Sequence, residues 1–378
     1  MRKGWEYKKL GEVCTITMGQ SPDGNSINEV NGIEFHQGKT CFGERFLGIS
    51  PLYSNAPTKL AEAHSVLLCV RAPVGYPNIT DRKICIGRGL CALYAKREID
   101  NSFLYYSLLG KQSYFEKNAT GSTFKAISSK IVSNTTLSIP SLSTQLAIVS
   151  ELDKINELIR LKKEQLKDFD NLAQSLFYEM FGDPVENEKG WDVKKLKDIS
   201  REIGDGLHGT PEYSEVDTGC YFINGNNLEN GTIVIKENTK MVSEKTKAKH
   251  YIEMDDFTIL VSINGTLGKV AFYNGENVIL GKSACYIKLE AYNDKKYIFE
   301  LLKSDYFKRY AESECTGTTI RNVSLKSMRN FRCPLPPLPL QRLFAQRIEQ
   351  IEREKSEVQK SIQDLETLLA SRMQYWFE

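Results

Sequence analysis

The chain has 378 residues, enough for two or more domains that each bury a core. With 41% hydrophobic and 26% charged residues it has the composition of an ordinary globular protein, and no apolar run is long enough to span a bilayer. The formal net charge of +2 excludes a uniformly basic nucleic-acid binder but leaves room for a local basic face, since residues 1–140 hold 17 Lys+Arg against 11 Asp+Glu.

The start, Met1 to Glu6, has no apolar segment of the signal-peptide kind. The nine cysteines are odd in number and scattered, with no C-x-x-C pair, which fits reduced thiols in a cytoplasm better than a disulfide framework or a zinc site. Asn-x-Thr triplets such as Asn134-Thr135-Thr136 then carry no glycan meaning. His36, His64, His208 and His250 do not cluster, so no metal site is expected.

In chain order, Trp5-Glu6-Tyr7-Lys8-Lys9-Leu10 comes first. Polar, glycine-containing loops follow at Gly19-Gln20-Ser21-Pro22-Asp23-Gly24 and at Phe35-His36-Gln37-Gly38-Lys39. The run Ser65 to Val70 is compact, apolar and rich in strand formers, and leads into Arg71. Gly87-Arg88-Gly89 precedes a further apolar run. A helix is predicted over 102–116, whose Tyr105, Tyr106, Tyr114 and Phe115 at helical spacing read as core rather than as base-stacking platforms. Thr120-Gly121-Ser122-Thr123 with Lys125 offers hydroxyls and N–H groups beside a cation.

Residues 143–181 then form one long predicted helix. Reading every fourth and then third position gives Ile148, Leu152, Ile155, Ile159, Lys162, Leu166, Phe169, Ala173, Leu176 and Met180, the seam of a coiled coil. Ser143 is placed to cap its start, and Gly182 with Pro184 stops it.

The second half repeats the first, at an offset that drifts from 186 to 196 positions. Trp191 to Leu196 answers Trp5 to Leu10. The run Thr258 to Ser262, Ile263-Asn264-Gly265-Thr266-Leu267-Gly268-Lys269, Gly281-Lys282-Ser283-Ala284-Cys285 and Thr316-Gly317-Thr318-Thr319 with Arg321 answer the first-half segments. A helix is predicted over 295–311. The final helix carries Phe344, Ile348, Ile351, Lys355, Val358, Ile362, Leu365, Leu369, Arg372 and Trp376 at the same alternation. A lone heptad helix needs a cover for its seam, so two in one chain are expected to pair with each other. Linking the C-terminus to the N-terminus would close the chain into a circle with a pseudo-two-fold.

The candidate contact residues lie in the loops: Gln20, Ser21, Gln37, Lys39, Arg71, Arg88, Ser122 and Lys125 in the first half, and Asp205, His208, Thr210, Asn226, Asn264, Lys269, Lys282, Thr318 and Arg321 in the second. Amides, hydroxyls and cations beside permissive glycines suit base-edge readout and phosphate anchoring. Ordinary turns, capping turns and surface ion pairs would use the same residue types. Gly275 to Ser283 resembles a phosphate loop with one residue too many, and Val278-Ile279-Leu280 reads as a strand. There is no G-x-S-x-G, no H-E-x-x-H, no Gly-rich cofactor loop and no Asn/Asp-Pro-Pro-Tyr/Phe tetrapeptide, so catalysis by this chain itself is unsupported. A chain with its own modifying or nuclease activity, or a coiled-coil adaptor that binds only protein, would be the alternatives.

The duplicated domain-plus-helix, the W-x-x-x-x-L segments and the T-G-[ST]-T turns resemble the specificity subunit of type I restriction–modification systems. So do the lead-ins Ile139-Pro140-Ser141-Leu142-Ser143-Thr144-Gln145 and Leu335-Pro336-Pro337-Leu338-Pro339-Leu340-Gln341. The resemblance covers essentially the whole chain. Asp205-Gly206-x-His208-x-Thr210-Pro211 is similar to a loop frequent in the family's target recognition domains; the first half has no such loop, so the halves should read different sequences.

The resemblance implies an α/β fold, with two pseudo-symmetric mixed α/β target recognition domains (1–142 and 182–338) separated by a pair of long antiparallel coiled-coil helices (143–181 and 339–378). It implies a non-catalytic, cytoplasmic reader of a bipartite, asymmetric double-stranded DNA site. Two modification subunits would bring S-adenosylmethionine, and restriction subunits ATP and Mg. The helices would set the gap, so four residues inserted after Phe169 should lengthen it.

Overall fold

The computed structural model describes residues 4–121, 125–315 and 321–377. It divides into two compact units, Met1–Glu164 with Gln359–Glu378, and Gln165–Val358.

In the first unit the run Val66–Cys69 is buried on both faces, as expected of a β-branched and leucine-rich segment inside a covered sheet. It lies in a four-stranded antiparallel sheet in the order Cys14–Met18, Leu90–Ala95, Val66–Cys69, Pro77–Ile79. The second unit repeats that order with Ser200–Asp205, Ala284–Leu289, Thr258–Ser262 and Val270–Phe272. A second sheet layer contains a parallel pair in each unit: Ile33–His36 on Ile84–Ile86, and Tyr221–Ile223 on Val278–Leu280. The Gly275 to Ser283 stretch is therefore a strand between turns rather than a phosphate loop.

Two helices are shorter than their periodicity suggests. The expected 102–116 helix is Asn101–Leu109 followed by Gln112–Asn118, and the expected 295–311 helix is Lys295–Lys303 followed by Asp305–Ser313. Apolar spacing continues across each break, so the pattern does not reveal it. Tyr105, Tyr106 and Phe115 are buried core residues; Tyr114 is exposed.

The long helices are Leu142–Phe181 and Leu338–Phe377, each about 60 Å long at ~1.5 Å per residue. The start of the first is capped by Ser141, not Ser143: the Ser141 hydroxyl accepts the Thr144 N–H and its carbonyl accepts the Gln145 N–H. Gly182 ends the helix at φ +75°, the left-handed conformation that favours glycine.

Within the first unit, Glu151 meets Arg372 and Trp376 while Lys163 meets Glu366, so the helix segments run antiparallel. Ile148 and Leu152 join the core that includes Leu369, Met373 and Trp376; Ile155, Ile159 and Ile362 are also buried. Trp5 stacks on Trp376 with ring centroids 6.3 Å apart, so the two ends of the chain meet in this unit. Within the second unit, Asp170 meets Lys355 and Phe181 meets Phe344, again antiparallel. Phe169, Leu176, Phe344, Ile348 and Ile351 lie in or against its core, while Leu166 and Leu365 are half-buried in their own units.

The proline lead-in has a mechanical reason. Gln145 is fully buried; its amide donates to the carbonyls of Pro140 and Glu98 and accepts the Asp100 N–H. Asp100 in turn caps the helix at Asn101 by accepting from Ser102 and Phe103. Gln341 repeats this with Pro336 and with Asp294, the cap of Lys295–Lys303. One buried amide thus fixes the long helix to the globular part of each unit.

A charged cluster supports the 35–39 loop. Arg82 makes a bidentate pair with Glu34 at 2.6 and 2.7 Å, and Glu34 also accepts from the Ser50 N–H and from buried His36. Burial alone would raise the Glu34 carboxyl, but these donors outweigh it and hold it at about 2. Burial pushes His36 below its ordinary value, more than Glu34 pulls it up. A carboxylate with a depressed pKa stabilises the fold fully above the ordinary carboxylate range and loses that contribution as pH falls toward 2. Glu34→Gln is expected to cost about 3 kcal/mol at pH 7. In urea titrations the difference from the parent chain should shrink between about pH 5 and 2.

Candidate nucleic-acid interface

In each unit, loops at one edge of the sheets are joined by a row of backbone hydrogen bonds. In the first, Gln20 N–H donates to Ile86, Gly87 N–H to His36, Gly89 N–H to Gln37, Val70 N–H to Gly89, and Ala72 N–H to Lys125. In the second, Leu207 N–H donates to Leu280, Gly281 N–H to Ile223, Ile263 N–H to Ser283, and Gly265 N–H to Arg321. Four of the five bonds in the first row have a counterpart in the second; that from Gly89 to Gln37 does not.

Glycine makes the approach possible. A Cβ at Gly19 would lie 2.1 Å from the Gly87 carbonyl oxygen, and one at Gly206 would lie 1.9 Å from that of Leu280.

The first row brings together Gln20, Ser21, Gln37, Lys39, Arg71, Arg88 and Lys125. Except for half-buried Ser21 they are exposed, and among the described residues Arg71, Arg88 and Lys125 form no ion pair. Lys39 lies 4.3 Å from the centre of the Tyr76 ring. The second row brings together Asp205, His208, Asn226, Asn264, Lys282 and Arg321. Asp205 is occupied in holding the exposed His208 ring at 2.8 Å, and Thr210 is exposed on the same loop. Arg321 is 3.4 Å from Glu312, an exposed pair that holds it only weakly. Ser122 and Thr318 lie outside the described residues.

Lys269 sits apart from that row, in an adjoining cleft of about 440 Å³ shared with Asn226. Tyr213, Phe222, Asn224, Lys236 and Lys240 also line it. Lys240 stands 4.7 Å from the centre of the Tyr213 ring, while Lys236 donates to Glu229 and to the Asn226 carbonyl. Sequence reasoning did not select Tyr213, Phe222, Lys236 or Lys240. The lysine density of 236–249 and the correspondence of Asn224 with Gln37, through Gly281 and Gly87, were the available signals.

The arrangement presents amides, hydroxyls and unpaired cations along one edge, the donors that contact phosphate oxygens and base edges. Among the described residues, no three His, Cys, Asp or Glu side chains converge as a metal site. No helix among them is long and apolar enough to cross a membrane.

The family model for the type I restriction modification DNA specificity domain matches twice, over residues 2–168 and 188–367. The chain belongs to the type I restriction–modification DNA specificity family. Its relatives include three proteins from Methanocaldococcus jannaschii. The chain is 36% identical over 176 residues to the MjaX protein, which carries a provisional specificity-subunit name; that match takes in 46% of this chain and 41% of the relative. It is 24% identical to the MjaIX specificity subunit over 90% of this chain and 85% of the relative. It is 20% identical to the MjaVIII specificity subunit over 97% and 92%.

Two solved structures share the fold of this family member. A chain from work on complex assembly and conformational transition of the type I R-M system aligns with TM-score 0.68 at 18% identity, covering 100% of this chain and 98% of that one. The type I S subunit from M. genitalium aligns with TM-score 0.52 at 16% identity, covering 99% and 96%.

Proposed function

We propose that this specificity-family chain reads a bipartite, asymmetric site in double-stranded DNA, with one half-site assigned to each recognition domain. The observation that carries the reading is a single edge architecture built twice with different side chains. Gln20, Gln37, Arg71 and Arg88 occupy it in the first unit, and Leu207, Asn224, Asn264 and Lys282 in the second. One scaffold with two chemistries suits two different half-sites.

In this reading two modification subunits dock on the chain and transfer the methyl group of S-adenosylmethionine to adenine. Restriction subunits add ATP- and Mg-dependent translocation and cleavage. The chain itself supplies sequence choice and no bond chemistry, so purified alone it should bind DNA but leave it unmethylated.

The test is an exchange of residues 5–139 for another recognition domain, with the modification subunits co-expressed. Long-read methylation mapping is expected to show one half-site replaced and the other retained. Changes in both halves, or in neither, would contradict modular readout.

A further inference from the structure

We propose that Gln37 and Asn224 are matched specificity determinants, each presenting a fixed amide NH2 to a keto base, guanine or thymine, in its half-site. The inference rests on the DNA-reading role proposed above and assigns it to two particular donors.

The two residues occupy one position of the repeated scaffold. Each immediately follows the strand paired in parallel with its neighbour: His36 opposite Ile86 in the first unit, Ile223 opposite Leu280 in the second. Each amide lies over a glycine that leaves it room. A Cβ at Gly87 would be 2.4 Å from Gln37 Oε1, and one at Gly281 would be 2.2 Å from Asn224 Oδ1.

Both carbonyls are held by a serine hydroxyl. Ser21 donates to Gln37 Oε1 at 2.8 Å, and Ser283 donates to Asn224 Oδ1 at 2.9 Å. The serines come from different loops, so the same restraint is built in two ways. Ser283 also accepts the Gly225 N–H at 3.0 Å, so its hydroxyl is held from a second side while its proton goes to the amide carbonyl. Among the described residues neither Gln37 Nε2 nor Asn224 Nδ2 donates a hydrogen bond. Asn224 lines the cleft described above, and Gln37 is exposed at the sheet edge.

An amide whose carbonyl faces inward to a serine turns its NH2, two donors and no acceptor, to the opposite side. In the major groove, O6 of guanine and O4 of thymine accept at the exocyclic position, where the amino groups of cytosine and adenine donate. At that exocyclic position a pinned NH2 favours a keto base over an amino base. Exchange of the donor for a carboxylate oxygen reverses that preference.

The experiment uses the full chain assembled with its modification subunits, carrying Asn224→Asp or Gln37→Glu. Genome-wide methylation mapping is expected to show one position changed from G or T to A or C. Asn224→Asp should change only the second domain's half-site, and Gln37→Glu only the first domain's. Methylation at the parent site should fall about tenfold or more.

An unaltered motif in both variants at parental methylation levels overturns the proposal. So does a changed motif in the half-site opposite to the one assigned. Should a variant fail to assemble or methylate, Asn224→Ser or Gln37→Ser removes the donor without adding charge. Binding of that complex to duplexes randomised at each position must then lose the keto preference; an unchanged preference overturns the inference. If exchange of residues 5–139 replaces a half-site while Gln37→Glu does not, only this inference fails. If the exchange fails too, the DNA-reading role fails with it.

Discussion

Replacing Gly206 with alanine is expected to abolish readout by the second domain while readout by the first survives. The added methyl would lie 1.9 Å from the Leu280 carbonyl oxygen and 2.1 Å from its carbon. Neither atom can move aside cheaply: Leu280 is buried and sits in the parallel pair with Ile223. The 205–211 loop must swing outward instead, breaking the Leu207 to Leu280 hydrogen bond and carrying His208 and Thr210 away from the Lys282 loop. Overpacking of this kind costs ~1–3 kcal/mol of stability. The functional loss is larger, because several contacts move together and each lost base contact costs ~1–3 kcal/mol of discrimination. Titration of the assembled complex at one fixed salt concentration, with cognate duplex and with duplexes altered in either half-site, checks this. The variant should stop distinguishing second half-sites. Gly19→Ala, whose methyl would meet the Gly87 carbonyl at 2.1 Å, should do the same for the first. Full discrimination by both variants would show that the loop approach is irrelevant to readout.

Phe344→Ala is expected to give the largest loss of stability. Phe344 is fully buried and packs edge-on against Phe177 and Phe181, with centroids 5.8 and 5.1 Å away; Tyr297 packs on the same two rings. Tyr297 also donates its hydroxyl to the Pro334 carbonyl at 2.6 Å, tying the ring cluster to the strand that leads into the second long helix. Removing a core phenylalanine costs ~3–5 kcal/mol, and a domain of this size loses ~2–4 °C per kcal/mol. Calorimetry should show the transition of the second unit lowered by roughly 10 °C. A shift of only one or two degrees would mean that these rings do not carry the helix attachment.

The long helices were legible because their signal is local. An apolar residue every third or fourth position persists over ten turns, and Lys162, Lys355 and Arg372 are long enough to lie along a seam with their charge outward. The duplication was legible for a similar reason, since Trp5/Trp191 and Gln145/Gln341 recur with their neighbours. The breaks at Gly110 and Ser304 were not, because Tyr and Leu keep helical spacing on both sides of them. Nor were the two-residue strands Tyr53–Ser54 and Leu60–Ala61, which exist only through pairing with distant partners. The interface was half legible. Its loops announced themselves through glycine and polar side chains, but Asn224, Lys236 and Lys240 become neighbours of Lys269 only when the sheet edge closes. The support of Gln37 by Arg82 through Glu34 and His36 likewise spans a separation in sequence that no short pattern reveals.

The buried glutamines have a consequence for ancestry. Among the described residues the side chains of Gln145 and Gln341 bond only to main-chain atoms, the carbonyls of Pro140, Glu98 and Pro336 and the N–H groups of Asp100 and Asp294. The socket therefore tolerates any head whose closing segment supplies a proline carbonyl and a cap aspartate. Recombination between genes, with crossovers in the codons for these sockets, would deliver a new head onto an unchanged mount. Fresh sequence preferences would then arise by shuffling whole cassettes rather than by slow substitution.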